Sequence, residues 1–260
     1  MPRPPPPEIV DLIIDHLRDE QSTLRTCCVV SKTWVPRTRK HIFYRVELIS
    51  SHIELWKKTF PDPSNSPAHY ARSLTICGLP VIPAADPDAG GWIRAFRNLV
   101  HLHLEHAPWV DYEVSLTPFH GLSPTVRSLR LADIPSEVFD LVCSFPLLED
   151  LALRTLRPAG GAVGRCVPLT SPKLTGSLDL ITFREAQYVT RRLLDLPGGL
   201  HFATITVLSL DENLKLTNDL VSRCSGTLES LTICYSFMSV LPSASLIDQL
   251  LTTARGCRVT

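Results

Sequence analysis

Two histidines and a glutamate alternate along one short segment and are the best candidates in the chain for metal or acid–base chemistry. They are His101, His103 and Glu105. Residues two apart on a β-strand point to the same face, so these side chains would form one polar strip. A metal site needs a further nearby ligand, and the sequence specifies none. We therefore interpret the strip as an exposed polar face and expect neither a metal nor a cofactor.

Motifs for catalysis do not occur in the sequence. It contains no Gly-x-Ser-x-Gly, Walker loop, Gly-x-Gly-x-x-Gly or His-Glu-x-x-His. Its 8 cysteines include the adjacent pair Cys27 and Cys28 but no Cys-x-x-Cys, so neither a structural zinc site nor a thioredoxin-type site is indicated. We interpret the cysteines as reduced thiols and expect a protein that is not an enzyme, with no catalytic residues.

The charge balance argues against nucleic acids and membranes as partners. The 260 residues carry 26 basic and 26 acidic side chains, so the long-range field that such partners usually need is missing. No apolar run approaches the ~20 residues that span a bilayer, and the proline-rich start lacks a secretory signal. We interpret the basic residues as a solvated helix face or a contact with an acidic adaptor, and expect a cytoplasmic or nuclear protein. They are Arg37, Arg39, Lys40 and Arg45.

Eight segments repeat one pattern: an apolar residue, two others, an apolar residue, one other and an apolar residue. Their last apolar residues are 22 to 30 residues apart. The period-two part marks a short strand, and the intervening ~20 residues must return the chain to the start of a parallel neighbour. The triplets are Phe43/Val46/Leu48, Ala71/Leu74/Ile76, Leu99/Leu102/Leu104, Val126/Leu129/Leu131, Leu148/Leu151/Leu153, Leu174/Leu178/Leu180 (with one extra residue), Ile205/Leu208/Leu210 and Leu228/Leu231/Ile233.

This pattern resembles leucine-rich repeats over roughly residues 43–235. The resemblance is irregular, because the asparagine that often follows the strand occurs only at Asn213 and because residues 81–91 and 158–172 are rich in proline and glycine. It implies an α/β fold in which residues 46–260 form an irregular leucine-rich-repeat solenoid, with a parallel sheet on the concave face.

Several return segments are predicted to be helical. Ser51 can cap a helix through Phe60, and Ser136 can cap another that ends at Phe145. Two more are predicted over 185–194 and 218–224. Residues 246–254 also resemble a return helix, but no further strand follows in the pattern. We therefore expect an incomplete C-terminal cap, and either a truncated chain or one that aggregates alone.

The first 45 residues differ from the repeats, because they predict three short helices. The second lies around Leu24 and the third runs from Trp34 to Phe43. Three such helices cannot form a self-sufficient core. The residues alone leave open whether the apolar stripe of the first helix packs on the first repeat or docks on a partner. That stripe consists of Pro7, Ile9, Ile13 and Leu17.

Residues 5–45 resemble an F-box. The stretches PPPEIVDLIIDHL and LRTCCVVSKTWVPRTRKHIFYRVEL follow its motif, and the Trp-Val-Pro-Arg form is similar to F-box proteins of mushroom-forming fungi. Pro6 stands where leucine is usual, which removes an apolar contact. The resemblance implies a short three-helix F-box domain, residues 1–45, that docks on a Skp-family adaptor and through it a cullin. We expect Leu24, Cys28 and Phe43 to face inward as well. The implied adaptor-binding residues are Pro7, Ile9, Ile13, Leu17, Leu24, Val30 and Trp34.

In this family the repeats capture the protein to be ubiquitinated, so the resemblance implies a substrate-recognition adaptor of a Skp–cullin–F-box ubiquitin ligase. Stacked strands would bring polar side chains into columns, and their mixed charge suggests an unknown protein substrate read by paired charges. A merely solvated face and a leucine-rich-repeat interaction scaffold without a ligase role remain the alternatives. The predicted substrate-binding residues are His101, His103, Glu105, Arg130, Asp150, Arg154 and Asp179.

Overall fold

A computed structural model gives a mixed α/β fold built on one parallel sheet. It describes residues 6–78, 91–105, 117–122, 124–132, 139–142, 144–154, 173–180, 190–191, 193–195, 199–209, 214–235, 252 and 258–259. The helices are α1 (Pro7–His16), α2 (Gln21–Val30), α3 (Val35–Ile42), α4 (Ser50–Thr59), α5 (Phe139–Val142) and α6 (Leu214–Cys224). Three short 3-10 helices span Pro67–Tyr70, Ile93–Ala95 and Thr117–Leu122.

Within the described residues the sheet has nine strands, in the same order in space as in the sequence, and each strand runs parallel to the next. The strands are β1 (Arg45–Ile49), β2 (Ser73–Cys77), β3 (His101–Glu105), β4 (Ser128–Ala132), β5 (Asp150–Arg154), β6 (Lys173–Leu180), β7 (Gly199–Ser209), β8 (Ser230–Tyr235) and β9 (Arg258–Val259). The predicted α/β class and parallel sheet are therefore confirmed. The expectation that no strand follows the last repeat was wrong, because β9 pairs with β8.

The backbone carbonyl just before a strand repeatedly fixes where the next strand begins. The Tyr44 carbonyl accepts hydrogen bonds from the amides of Arg72 and Ser73, at 2.9 and 3.1 Å. The Arg72 carbonyl in turn accepts from Val100 and His101, at 2.8 and 2.9 Å. The carbonyls of residues 100 and 127 do the same for the next two strands. These shared acceptors start β1 to β5 at one level, so the strands pair in register.

The in-register strands stack their apolar residues into two buried columns. One column contains Val46, Leu74, Leu102, Leu129 and Leu151, and the other contains Leu48, Ile76, Leu104, Leu131 and Leu153. The first apolar residue of each predicted triplet, three residues before the strand's first column residue, is also buried for β2 to β5. These residues are Ala71, Leu99, Val126 and Leu148. The first five triplets therefore describe the core correctly, although Phe43 is only half-buried.

The predicted register was wrong at β6 and β7. Gly176, not Leu178, lies opposite Leu151, and Leu178 lies opposite Leu153. The next apolar partners are Phe202 and Ile205, so Ile205 pairs with Leu231 where Leu208 was expected. The pairing skips Ala203, which is the extra residue of an irregularity in β7. A repeat pattern that assumes leucine at every inner position cannot locate a glycine or an inserted residue.

The return segments are helical in part. Ile53 and Trp56 of α4 are buried as predicted, but the helix begins at Ser50, and Ser51 makes no capping hydrogen bond. Within the predicted helix 137–145, the structure describes α5 over Phe139–Val142. Leu141 and Phe145 are buried, as predicted. Residues 190–191 and 193–194 are helical within the predicted 185–194. The helix predicted from residue 218 instead begins at Leu214. Ser136, residues 81–90 and 158–172, and all of 246–254 except Thr252 lie outside the described residues.

The N-terminal helices have a small core of their own. Val10, Ile14 and Leu24 form it, and Leu17, Trp34 and Ile42 pack against it. Phe43 belongs instead to the core of the sheet. Its ring lies 6.2 Å from that of Trp56 and 6.5 Å from that of Phe60, edge to face in both cases. Aromatic contacts thus join the end of α3 to the first β–α unit.

Shortening a column leucine should test how much the stack stabilises the fold. We expect Leu102→Ala to lower the free energy of unfolding by about 2–5 kcal/mol, because the buried side chain leaves a cavity. Leu147→Ala is the matched control, since Leu147 is 40% exposed, and it should cost about 0.5 kcal/mol. Urea unfolding of both variants measures the difference. Equal losses would contradict the column as the main source of stability.

Candidate functional site

One side of α1 is an apolar surface that faces solvent. Ile9, Leu12 and Ile13 are 48%, 65% and 52% exposed, whereas Val10 and Ile14 on the opposite side are 8% and 1% exposed. The helix begins at Pro7, which suits a first helical position because it has no amide hydrogen to donate. We call Ile9, Leu12 and Ile13 the apolar helix face. The predicted stripe of Ile9 and Ile13 therefore does not pack on the first repeat, and that alternative was wrong.

The other predicted adaptor-binding residues divide between surface and interior. Pro7 and Val30 are exposed, and Leu17 and Trp34 are half-buried against the helical core. Leu24 is fully buried, so its direct contact with a partner was a wrong expectation, although its inward orientation was right. Cys27 is buried, whereas Cys28, which was expected to face inward, is only half-buried.

Two exposed apolar residues of α1 and α2 were missed in the sequence. Leu12 is the most exposed member of the apolar helix face, and Val29 is 87% exposed at the end of α2. Leu12 lies three residues after Ile9, so helical spacing could have placed it on the same face.

An acidic side chain holds α1 to α3. Asp15 Oδ1 accepts hydrogen bonds at 2.7 Å from Arg37 Nε and at 2.7 Å from His41 Nε2. A second guanidinium nitrogen of Arg37 donates to Asp15 Oδ2, which makes the pair bidentate. The hydrogen bond from Arg37 is the main reason that the pKa of Asp15 lies well below its usual range. We call these three residues the Asp15 clamp. Arg37 is thus not part of a free basic patch.

A groove lies on the face of the sheet that points away from the core. Its volume is about 380 Å³, and it lies over β1 to β4. The strand register arranges its polar side chains in two rows. The first row contains Arg45, Ser73, His101 and Ser128, and the second contains Thr75, His103 and Arg130. With Tyr44 and Leu102, these residues line what we call the polar groove.

Charges in the polar groove are all basic among the described residues that line it. Arg45 and Arg130 form no ion pair with any carboxylate in the described part of the chain. His103 is half-buried, and burial lowers its pKa; the nearby charge of Glu105 opposes this shift, and the charge of Arg130 adds a smaller lowering. This lowered pKa favours a neutral imidazole at pH 7, on the strand next to that of Arg130.

The structure separates the seven predicted substrate-binding residues. His101, His103 and Arg130 line the polar groove, while Glu105 and Asp150 lie at its margins. The Ser128 hydroxyl donates to Asp150 at 2.8 Å, and the Cys77 thiol lies 3.7 Å from Glu105 Oε2. Arg154 and Asp179 lie farther along the sheet. Asp179 is the register partner of Arg154, whereas aligning the predicted triplets of these two strands pairs Asp179 with Ala152.

The predicted patch omitted six of the residues that line the groove, and Arg45 is the charged residue among those six. Arg45 was interpreted only as part of a basic patch, although it directly precedes Val46 in the first repeat triplet. Aligning that triplet with the next would have placed Arg45 beside Ser73 and His101, as the register does.

Comparisons with known proteins assign no family to the chain. No protein-family model matches it, and no curated protein is similar enough to count as a match. In the described ranges, no three or more histidine, cysteine, aspartate or glutamate side chains group in a way that could hold a metal ion. Nor is any helix of the described residues long and apolar enough to cross a membrane.

Removing the charge of Asp15 should loosen the helical unit. At pH 7 we expect Asp15→Asn to lower the free energy of unfolding by about 1 kcal/mol, a modest value because the carboxylate is partly exposed. Asp19→Asn is the control, since Asp19 is exposed and its ion pair is with the adjacent Arg18, at 3.4 Å, and it should change little. Urea unfolding followed by tryptophan fluorescence measures both.

The Asp15 effect should also depend on pH. Because the folded-state pKa is lowered, the clamp stabilises the fold above the unfolded pKa of about 3.9 and loses this contribution as pH falls through the folded value. The difference in free energy of unfolding between wild type and Asp15→Asn should therefore decrease below about pH 4. A difference in free energy of unfolding that stays constant from pH 7 to pH 3 would contradict the stabilising role of the Asp15 clamp.

Proposed function

We propose that this protein is a substrate-recognition adaptor of a Skp–cullin–F-box ubiquitin ligase. In this proposal residues 1–45 are an F-box that docks on a Skp-family adaptor. Residues 46–260 are an irregular leucine-rich-repeat solenoid, whose concave face presents the polar groove to a protein substrate. The observation that carries the proposal is the apolar helix face, which α1 exposes although its other side is buried.

Helical spacing makes this face suitable for a partner groove. Ile9, Leu12 and Ile13 follow the i, i+3, i+4 pattern by which an amphipathic helix inserts into an apolar groove. Three large aliphatic side chains, each about half exposed or more, favour association because burying them releases water from apolar surface. The Asp15 clamp supports the same role, because it fixes the helix that carries them without covering them.

The connection between the two parts favours delivery of a substrate at a fixed distance. Helix α3 ends at Ile42 and β1 begins at Arg45, and Phe43 between them packs on Trp56 and Phe60. So short and packed a connection restricts movement of the sheet relative to the helices. In a ligase complex this restriction would hold the substrate near the catalytic module, which increases the rate through proximity.

The strand order supports the repeat part of the proposal. Each strand pairs with the strand that follows it in the sequence, as expected when similar β–α units stack on one another. The adaptor itself then catalyses nothing, because the ubiquitin chemistry belongs to other subunits. The proposal places the protein in the cytoplasm or the nucleus, where such ligases assemble.

A leucine-rich-repeat scaffold without a ligase role is the second candidate. It is favoured by the separation of the two cores, because Val10, Ile14 and Leu24 of the helices form a cluster apart from the core of the sheet. In that case the helices are an N-terminal cap and the apolar helix face has no adaptor to bind. Co-elution with a Skp-family adaptor distinguishes the two candidates.

The decisive experiment is co-expression of the full chain with a Skp-family adaptor, followed by size exclusion. We expect the double variant Ile9→Asp/Ile13→Asp to lose co-elution. Burying two unpaired carboxylates in the contact with the adaptor costs about 3 kcal/mol or more. The double variant changes Ile9 and Ile13 and not Leu17, because Leu17 packs against the helical core.

Two controls make the result interpretable. Leu147→Asp introduces a charge at another exposed apolar residue and should leave co-elution intact. Thermal unfolding of the double variant should match that of wild type, because Ile9 and Ile13 are half exposed in the free chain. Co-elution of a folded double variant with the adaptor would contradict the F-box assignment.

A further inference from the structure

Basic and hydroxyl side chains alternate across the polar groove. Arg45, Ser73, His101 and Ser128 follow one another from strand to strand in the first row, and Thr75, His103 and Arg130 do so in the second. The described lining residues include two arginines and two histidines but no carboxylate. Such a surface is complementary to anionic groups rather than to a partner of mixed charge.

We propose that the polar groove binds an extended acidic segment of a partner protein, with one carboxylate over Arg45 and His101 and another over Arg130. This inference rests on the proposed function, in which the same face captures the substrate, and it specifies the chemistry of that substrate. It also replaces the earlier expectation of a ligand read by paired charges.

Strand spacing favours an extended segment over a single small anion. Neighbouring strands lie about 4.8 Å apart, so the three intervals from β1 to β4 cover about 14 Å. Side chains stand roughly perpendicular to a sheet, so this spacing disfavours one carboxylate shared by Arg45 and Arg130. An extended chain of about five residues covers it, and places side chains on one of its faces about 7 Å apart.

The groove has donors suited to carboxylates. Each guanidinium can donate two parallel hydrogen bonds to one carboxylate, which gives geometric selectivity as well as attraction. Between the cations, the hydroxyls of Ser73 and Thr75 and the imidazole of His103 can donate further hydrogen bonds. An approaching anion also favours the protonated form of His103.

Carboxylates at the margins would restrict how the segment lies. Glu47 precedes Thr75 in the second row, and Asp150 follows Ser128 in the first. Glu105 lies two residues beyond His103 on β3. An acidic segment displaced toward any of them meets like charge, which disfavours the displaced positions. The acidic residues of the predicted patch would therefore act as a boundary, and the basic ones as the contact.

The test uses the full chain and a fluorescein-labelled peptide of alternating aspartate and serine, ten residues long. Fluorescence anisotropy should show binding that weakens as salt increases, because the contacts are exposed ion pairs. A peptide of the same length with asparagine for aspartate should bind at least about tenfold more weakly. Equal binding of the two peptides, or no binding of the acidic one, would overturn the inference.

Charge reversal in the groove supplies the second arm. Arg45→Glu/Arg130→Glu should weaken binding of the acidic peptide at least about tenfold. Arg94→Glu/Arg97→Glu is the matched control, because it changes net charge equally at exposed residues of a return segment, outside the groove. That control should bind like wild type, and equal weakening in both variants would overturn the groove as the site.

Inorganic phosphate distinguishes an extended segment from a single anion. If phosphate at low millimolar concentration displaces the peptide while sodium chloride of equal ionic strength does not, the groove is a single-anion site and the inference is overturned. Co-elution with the Skp-family adaptor is measured on the same variants. Peptide binding without co-elution would overturn only the proposed ligase role, whereas co-elution without peptide binding would overturn only the acidic-segment inference.

Discussion

The sharing of one carbonyl between successive units is the constraint on which the rest of the structure depends. Each of the carbonyls of Tyr44, Arg72, Val100 and Arg127 accepts two amides from the start of the next unit, at 2.8 to 3.1 Å. A strand displaced by one residue would lose these bonds and would also turn its leucines away from the core. The same bonds that bury the leucine columns therefore also bring Arg45, His101 and Arg130 within reach of one ligand. Core and groove are two results of one register.

That register also connects the two proposed binding surfaces. Tyr44, the first shared acceptor, directly follows Phe43, whose ring joins the helical unit to Trp56 and Phe60. The clamp at Asp15 then sets the direction of α1 relative to α3. A continuous series of packed contacts thus runs from the apolar helix face to the polar groove. In the proposed ligase, this series relates the position of the adaptor to that of the substrate.

The sequence predicted the parts of the fold that local periodicity controls. The triplets of β1 to β5 follow from spacing alone, because side-chain direction in a strand repeats at a known period. Spacing also placed Ile9 and Ile13 on one side of a helix, but it left open whether that side is exposed. The register of β6 and β7 does not, because Gly176 and the extra Ala203 change the pairing without changing the leucine pattern. The Asp15 clamp could not be predicted either, since its partners lie 22 and 26 residues away and meet only in the folded chain.

The sequential strand order has a consequence for how the chain folds. Every strand pairs with a neighbour that is adjacent in the sequence, so each new unit closes a loop of about 25 residues whatever the total length. The mean sequence separation of contacts is then small for a parallel sheet, which favours rapid folding. A chain emerging from the ribosome could add its units one at a time onto those already formed. Its folding would then resemble growth from an end rather than collapse around a centre.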